Sequence, residues 1–423
     1  MKFVSVALIA GAFGCTLVQP VLAVEDVKAR ERVLHSFVGG ADGAAPTAGL
    51  TDWKGTLYGM TAYGGPADGG TVFAVDPKTG AEDVLYSFCS EQNCVDGSVG
   101  GTSLTAADGL LYGTTVQGGS TDICGFNHEL GCGTVFAVNP GTGAEKVLYS
   151  FCSQQNCTDG ETPESGLLNV KNTLYGTTYF GGTSQYDGVV FSIDAKTGKE
   201  KVVYGFCSRQ NCTDGGNPEG NLISVSGTIY GITYGGGNAG DGTVFAFDPE
   251  TGTEKVLYSF CSQQDCADGS EPEAGLVAAN GTLYGTTSIG GAHNLGTVFA
   301  VNLTTGAETV LYSFCSKTNC DDGSYPQASL IDVKGMLYGT AAFGGKNCKS
   351  SNTCGTVFAV DPSTETESVL YDFCGEKACK DGGTPGAGLI DVKNVLYGTT
   401  QNGGIDCADG GGGCGVVFAL KPH

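Results

Sequence analysis

Hydrophobic and polar positions in this chain alternate as short apolar runs separated by Gly, Asn, Asp and Pro, from Val33 to Ala419. The stretch at 275–314, GLVAANGTLYGTTSIGGAHNLGTVFAVNLTTGAETVLYSF, shows the pattern. Its runs GLVAA, TLYGTTS, GTVFAVN and ETVLYSF are rich in β-branched and aromatic residues, which suit a pleated, half-buried surface, and no helical period runs through them. They predict four strands, a to d. Between strands c and d the segment DPKTGAE at 76–82 has Pro to preset φ and Gly to accept a positive φ, so it reads as a compact hairpin turn.

The same unit recurs along the whole chain. The tyrosine of the LYG phrase appears as Tyr58, Tyr112, Tyr175, Tyr230, Tyr284, Tyr338 and Tyr397, seven copies spaced 54 to 63 residues apart. A period of that size marks a solenoid, a propeller or an array. Seven c strands centre on Phe73, Phe136, Phe191, Phe245, Phe299, Phe358 and Phe418, and seven d strands end at Phe37, Phe88, Phe151, Phe206, Phe260, Phe314 and Phe373. The repeats begin with strand d and end with strand c. That offset lets RVLHSF at 32–37 supply the outer strand of the blade completed by CGVVFAL at 414–420, whereas an open solenoid needs capping ends that neither terminus offers. The fold class is therefore all-β: a seven-bladed β-propeller of four-stranded antiparallel blades, closed by pairing of the N-terminal strand in the last blade.

Residues 1–23 carry one lysine, an apolar run and then VLA before the acidic VED, the layout of a secretory signal cut after Ala23. This leaves 24–423 as a single propeller domain, secreted or periplasmic. A lipidation box at Cys15 is the competing reading, with Ala12 and Phe13 ill-suited to it. No other apolar stretch approaches the ~20 residues that span a bilayer.

Cysteine usage fits export. Of 19 cysteines, 18 remain without Cys15, and their spacing divides them into local pairs. Six pairs are C-x4-C: Cys89 with Cys94, Cys152 with Cys157, Cys207 with Cys212, Cys261 with Cys266, Cys315 with Cys320, and Cys374 with Cys379. Three more, Cys124 with Cys132, Cys348 with Cys354, and Cys407 with Cys414, fall in enlarged b-to-c loops. A zinc reading competes, but zinc sites favour C-x2-C with a second pair or histidines, and the chain has 4 His in all. Disulfides of an oxidising compartment, with no metal and no cofactor, are the expectation.

The motif order, GG after strand b and DPxTG after strand c, looks like a kelch-type blade, although kelch blades place a tryptophan in strand d and the only tryptophan here is Trp53. More specifically, LYGTT, GG, GTVFAVDP, TGAE and VLYSF in succession resemble the Gloeo-Verruco tandem-repeat family of secreted bacterial proteins. The resemblance covers about nine-tenths of the chain and implies a propeller-like fold and export. It implies no reaction.

A net charge of −23 argues against nucleic acid and against anionic membrane surfaces, and is compatible with solubility or with a cationic partner. In this strand order the d-to-a and b-to-c loops share one face, which therefore carries every expected disulfide. Tyr63, Phe126, His128, Tyr179, Phe180, Tyr234, His293 and Phe343, in or beside the b-to-c loops, offer rings to a glycan or a peptide, with packing between blades as the alternative use. The Asp-Gly pairs at Asp42, Asp96, Asp159, Asp214, Asp268, Asp322 and Asp381 read as turn residues, with a calcium ring as the rival; Asp406 and Asp409 are a second calcium candidate. No nucleophile elbow, P-loop or zincin motif is present. Acid–base chemistry would need carboxylates from several blades, such as Glu161 and Glu164 with Glu219, Glu271 or Glu273.

The function expected is a monomeric, exported binding or interaction module for a glycan, peptide or protein partner. The alternative is a propeller hydrolase or lyase acting on glycans or envelope polymers. Carboxylates converging in one pocket would point to an enzyme; aromatics without such convergence would point to a binder.

Overall fold

The computed structural model describes residues 30–120, 131–183, 186–348, 354–405 and 413–422. Seven separate antiparallel sheets hold the described strands. Blade three is representative: Leu168–Val170 (a), Thr173–Thr178 (b), Val189–Asp194 (c) and Glu200–Gly205 (d), hydrogen-bonded in that order. Blade two carries an additional short strand, Ser98–Gly100, on its b strand.

The ring closes as the offset of the repeats requires. Arg30–Ser36 pairs antiparallel with Val416–Lys421, so the last blade reads Ile390–Asp391, Leu396–Thr400, Val416–Lys421 and then Arg30–Ser36. The bulge between Val33 and His35 has a counterpart between strands c and d of every other blade, for example at Val190/Phe191. The N-terminal strand is thus a true outer strand in its native register.

Packing lies between blades. Each of the seven apolar clusters joins two neighbouring sheets; one contains Phe37, Phe73 and Val417 and so joins the last blade to the first. Each Phe that follows a d strand meets the c-strand Phe of the next blade edge-on, at 4.9 to 5.1 Å between ring centres. Such T-shaped pairs add to area burial. The glycine of LYG is what admits the ring: a Cβ on Gly176 would lie 2.5 Å from Cζ of Phe191.

The crossovers from d to a are the second repeated device. In the third, Gln155–Cys157 forms a single 3-10 turn with Asn156 at φ 59, a left-handed conformation that asparagine tolerates. The Cys152–Cys157 disulfide closes it. Beneath sits Asp159, fully buried, accepting bonds from Tyr149 Oη at 2.7 Å, Ser153 N and Oγ at 2.9 Å, and Gln154 N at 3.2 Å. The tyrosine bond recurs at Asp96, Asp214, Asp268, Asp322 and Asp381. These aspartates are therefore more than turn residues and are unavailable to a calcium ring, because their oxygens are already committed to the crossover. In the first crossover His35 stands in for the tyrosine, 3.5 Å from Asp42.

All six C-x4-C disulfides and Cys348–Cys354 are formed. Cys132 and Cys414 are disulfide-bonded as well, while their expected mates Cys124 and Cys407 lie outside the described residues. So do the leader at 1–23 and the calcium candidates Asp406 and Asp409. Among the described residues no helix is long and apolar enough to cross a membrane.

Candidate functional site

Every crossover delivers the chain to strand a, and hence to the axis, through a short segment ending in a buried leucine. Three residues before Leu50, Leu104, Leu167, Leu222, Leu276, Leu330 and Leu389 stand Thr47, Gly101, Glu164, Glu219, Glu273, Gln327 and Gly386. All seven line one cleft of about 100 Å³ at the mouth of the central channel. Its floor is small because the seven strands converge there: a Cβ on Gly220, at φ +68, would sit 2.5 Å from the backbone N of Gly275. Gly166 N donates to Asn221 Oδ1 at 2.7 Å, tying blades three and four together at the axis.

Three consecutive blades thus place a carboxylate at the same point of the ring. No Lys, Arg or His is among the residues lining the cleft. Burial, and then the charges of Glu164 and Glu273, push the Glu219 carboxyl up to about 9. Burial and Glu273 push Glu164 up to about 7. Glu273 is raised by burial too, although Gln327 donates to it from Nε2 at 2.8 Å. The Tyr234 hydroxyl is raised by burial and then by the Glu271 carboxylate near it. Its ring lies 6.3 Å from that of Tyr179, whose hydroxyl burial and the charges of Glu219, Glu164, Glu273 and Glu271 push up to about 12. Two tyrosines and four glutamates form one electrostatic unit.

Of the residues expected from the sequence, the structure brings together Tyr179, Tyr234, Glu164, Glu219, Glu271 and Glu273. Phe180 packs edge-on against Tyr179 at 4.7 Å, and its backbone pairs with Glu161, which is buried and does not line the cleft. Strand b ends at Thr178, so strand alternation does not send the rings of Tyr179 and Phe180 to opposite sides. Both are half-buried. Tyr63 (52% exposed), the exposed His293 and the half-buried Phe343, which packs on Tyr325 at 5.6 Å, are not among the residues lining the cleft. Phe126 and His128 lie outside the described residues.

Where three possible metal-ligand atoms gather within 4.8 Å among the described residues, each group includes cysteines already held in disulfides. The axial glutamates form no such group.

The model of the Gloeobacter/Verrucomicrobia repeat matches residues 21–126 and 124–351. The chain belongs to that repeat family. No curated protein matches it significantly. Solved structures share the architecture at low identity: a chain of the mitotic checkpoint complex (TM-score 0.52, 12% identity, 100% of this chain and 99% of that one) and a europium-containing methanol dehydrogenase (0.51, 12%, 93% of each). An oligogalacturonate lyase in complex with manganese follows at TM-score 0.49 and 10% identity, covering 94% of this chain and 98% of that one. At such identities the likeness shows the fold alone.

Within the family repeat, Gln327, Thr47, Gly101 and Gly386 were not singled out by motif. A register comparison would have found them, since each precedes the same leucine by three residues and only three of the seven positions are acidic.

Proposed function

We propose that the protein is an exported binding module that takes a cationic group of a peptide or protein partner, a lysine ammonium or an arginine guanidinium, into the mouth of its central channel. The observation that carries this reading is the convergence of Glu164, Glu219 and Glu273 on one cleft without a basic side chain. Size supports a single charged group: about 100 Å³ is room for roughly three waters, against the ~300–1,000 Å³ of pockets that take a whole small molecule. Tyr179 and Tyr234 do not line the cleft, but the charges of its glutamates reach both hydroxyls, so an entering cation would come near aromatic rings as well as carboxylates. Disulfide-closed crossovers on the same face support export and a binding surface kept in shape.

An array of lysine- and arginine-bearing peptides tests it. Binding is expected to fall at least ~10-fold in Glu164→Gln/Glu219→Gln, the scale of a lost charge-assisted contact. Equal binding of acetyl-lysine peptides, or unchanged binding by the variant, would refute the proposal.

One observation favours a second reading, a hydrolase or lyase on glycans or envelope polymers. With the cleft empty, Glu219, raised to about 9, holds a proton at neutral pH beside Glu164, raised to about 7, a division suited to general acid and base, whereas a cation in the cleft would draw these protons off. Release of reducing or unsaturated ends from a polysaccharide panel, abolished by Glu219→Gln, would decide for it.

A further inference from the structure

A second set of carboxylates rings the molecule at its outer edge. Glu31, Glu82, Glu145, Glu200, Glu254, Glu308 and Glu367 stand at the start of the seven d strands. Each keeps its Oε1 buried without a hydrogen-bond partner, a costly arrangement for an ionised carboxylate that recurs at every blade joint. Each also faces the aspartate of the preceding crossover, buried at all but the first: Glu31 faces Asp381, Glu82 Asp42, Glu145 Asp96, Glu200 Asp159, Glu254 Asp214, Glu308 Asp268 and Glu367 Asp322.

The joints differ in their neutralising partner. Arg209 Nη2 reaches Glu254 at 2.9 Å and Lys317 Nζ reaches Glu367 at 2.7 Å. At the same crossover position the chain has Gln154, within 3.4 Å of Glu200, and Gln263 before Glu308. Two joints go the other way: Glu91 joins Asp96 and Glu145, and Glu376 joins Asp381 and Glu31, three carboxyls with no base between them. Tyr371, Tyr149, Tyr204, Tyr258 and Tyr312 face Glu31, Glu200, Glu254, Glu308 and Glu367, and Tyr86 faces Glu145. At the closing joint Glu82 has Asp42 and Asp83 as neighbours, and His35 lies against Asp42.

We propose that the five joints without a lysine or arginine partner are each closed by a proton held between blades, so that the ring is strengthened by acid and loosens as the medium turns alkaline. The proton gives the orphaned glutamate a hydroxyl to donate and removes the repulsion across the joint. Burial comes first among the causes that raise these glutamates, to about 7 at Glu31, Glu82, Glu200 and Glu308 and about 8 at Glu145, from an ordinary 4.5; it raises Glu254 to about 7 and Glu367 as well, with Arg209 and Lys317 pulling against it. A carboxyl raised on folding contributes stability that is complete below its unfolded value and is lost as pH rises through its folded value, here between about 4.5 and 8. His35, lowered by burial, opposes this at one joint by favouring the fold above its ordinary 6.5.

Melting of the full chain from pH 5 to 8.5 tests the proposal. The axial glutamates titrate with the same sign, so Glu164→Gln/Glu219→Gln/Glu273→Gln serves as the background. In it Tm is expected to fall by about 5 °C across the range. Glu91→Lys and Glu376→Lys, which copy the pairing at Arg209 and Lys317, are expected to raise Tm at pH 8.5 and flatten the slope. Glu145→Gln, nearly isosteric, removes one titration without adding a long side chain and is expected to flatten it in part. A flat profile in the background, or a slope that neither the lysine pair nor Glu145→Gln changes, overturns the proposal.

Discussion

The ring of Phe37 lies 5.1 Å from the ring of Phe73, edge to face, although Phe37 follows the outer strand of the last blade and Phe73 belongs to the first. This contact is the seventh of seven equivalent ones, and it forms only because the N-terminal strand is zipped into the C-terminal blade. Phe37→Ala should therefore cost as much as the same change at any other joint, about 3–5 kcal/mol. Deleting 30–36 should do worse: it bares the edge of Val416–Lys421 and invites pairing between molecules. Denaturant melts and light scattering check both. A truncated chain that melts like the full one would show that closure lies elsewhere.

A glycine scan separates sterics from flexibility. Gly176→Ala drives a methyl against Phe191 and should cost about 1–3 kcal/mol through overpacking. Gly205→Ala, whose added Cβ meets nothing within 4 Å, should stay within about 0.5 kcal/mol of wild type.

The buried aspartates make a sharper case. Asp268 accepts from Tyr258 Oη at 2.6 Å, Ser262 Oγ at 2.8 Å, Ser262 N at 2.9 Å and Gln263 N at 3.2 Å. Asp268→Ala leaves those donors stranded and should cost about 1–3 kcal/mol. Burial pushes this carboxyl up, but the donors outweigh burial and hold it below its ordinary 3.8. Its contribution is present above that value and fades as pH falls through the still lower folded value, so the difference between Asp268→Ala and wild type should shrink in strong acid. Melting curves from pH 2 to 6 measure it.

Cysteine pairs should matter less than this clamp. Replacing Cys207 and Cys212 together by serine opens a loop with a sequence separation of 5, worth about 2 kcal/mol or less in chain entropy. Asp214 still holds Tyr204 and Ser208 there, so the double variant should remain folded with a lowered Tm. Peptide mapping without reduction should recover each C-x4-C pair intact.

At the axial mouth, Tyr179→Ala should weaken a lysine peptide several-fold, the scale of a partly desolvated cation–π contact at about 1 kcal/mol. His293→Ala, on an exposed loop away from the cleft, should leave binding and Tm unchanged. Titration of the peptide against both variants provides the comparison.

The architecture was legible because a repeat restates its rules: strand runs and Asp-Gly come seven times and C-x4-C six, and these, with the d-first offset, all reappear as structure. The convergence of Glu164, Glu219 and Glu273 was legible as a set of carboxylates in equivalent loops, but not as an axial ring, since only the closed circle makes positions about 54 residues apart into neighbours. Two features stayed hidden. The tyrosine of each VLYSF precedes its aspartate by ten residues, a fixed offset that sequence shows and only a folded crossover explains. Tyr179 and Phe180 looked like a strand pair, yet strand b stops at Thr178 and the two rings meet each other instead.

Antiparallel pairing sets Arg30 opposite Lys421 and Ser36 opposite Val416, so the two free ends of the propeller leave from the same end of a single ladder. A pull applied between them loads that ladder one rung at a time, as in peeling tape, rather than all rungs at once. The joint that makes the ring cooperative against heat is therefore its weakest point against tension. Two strands drawn apart from their frayed end should part at low force, with the other six sheets still standing.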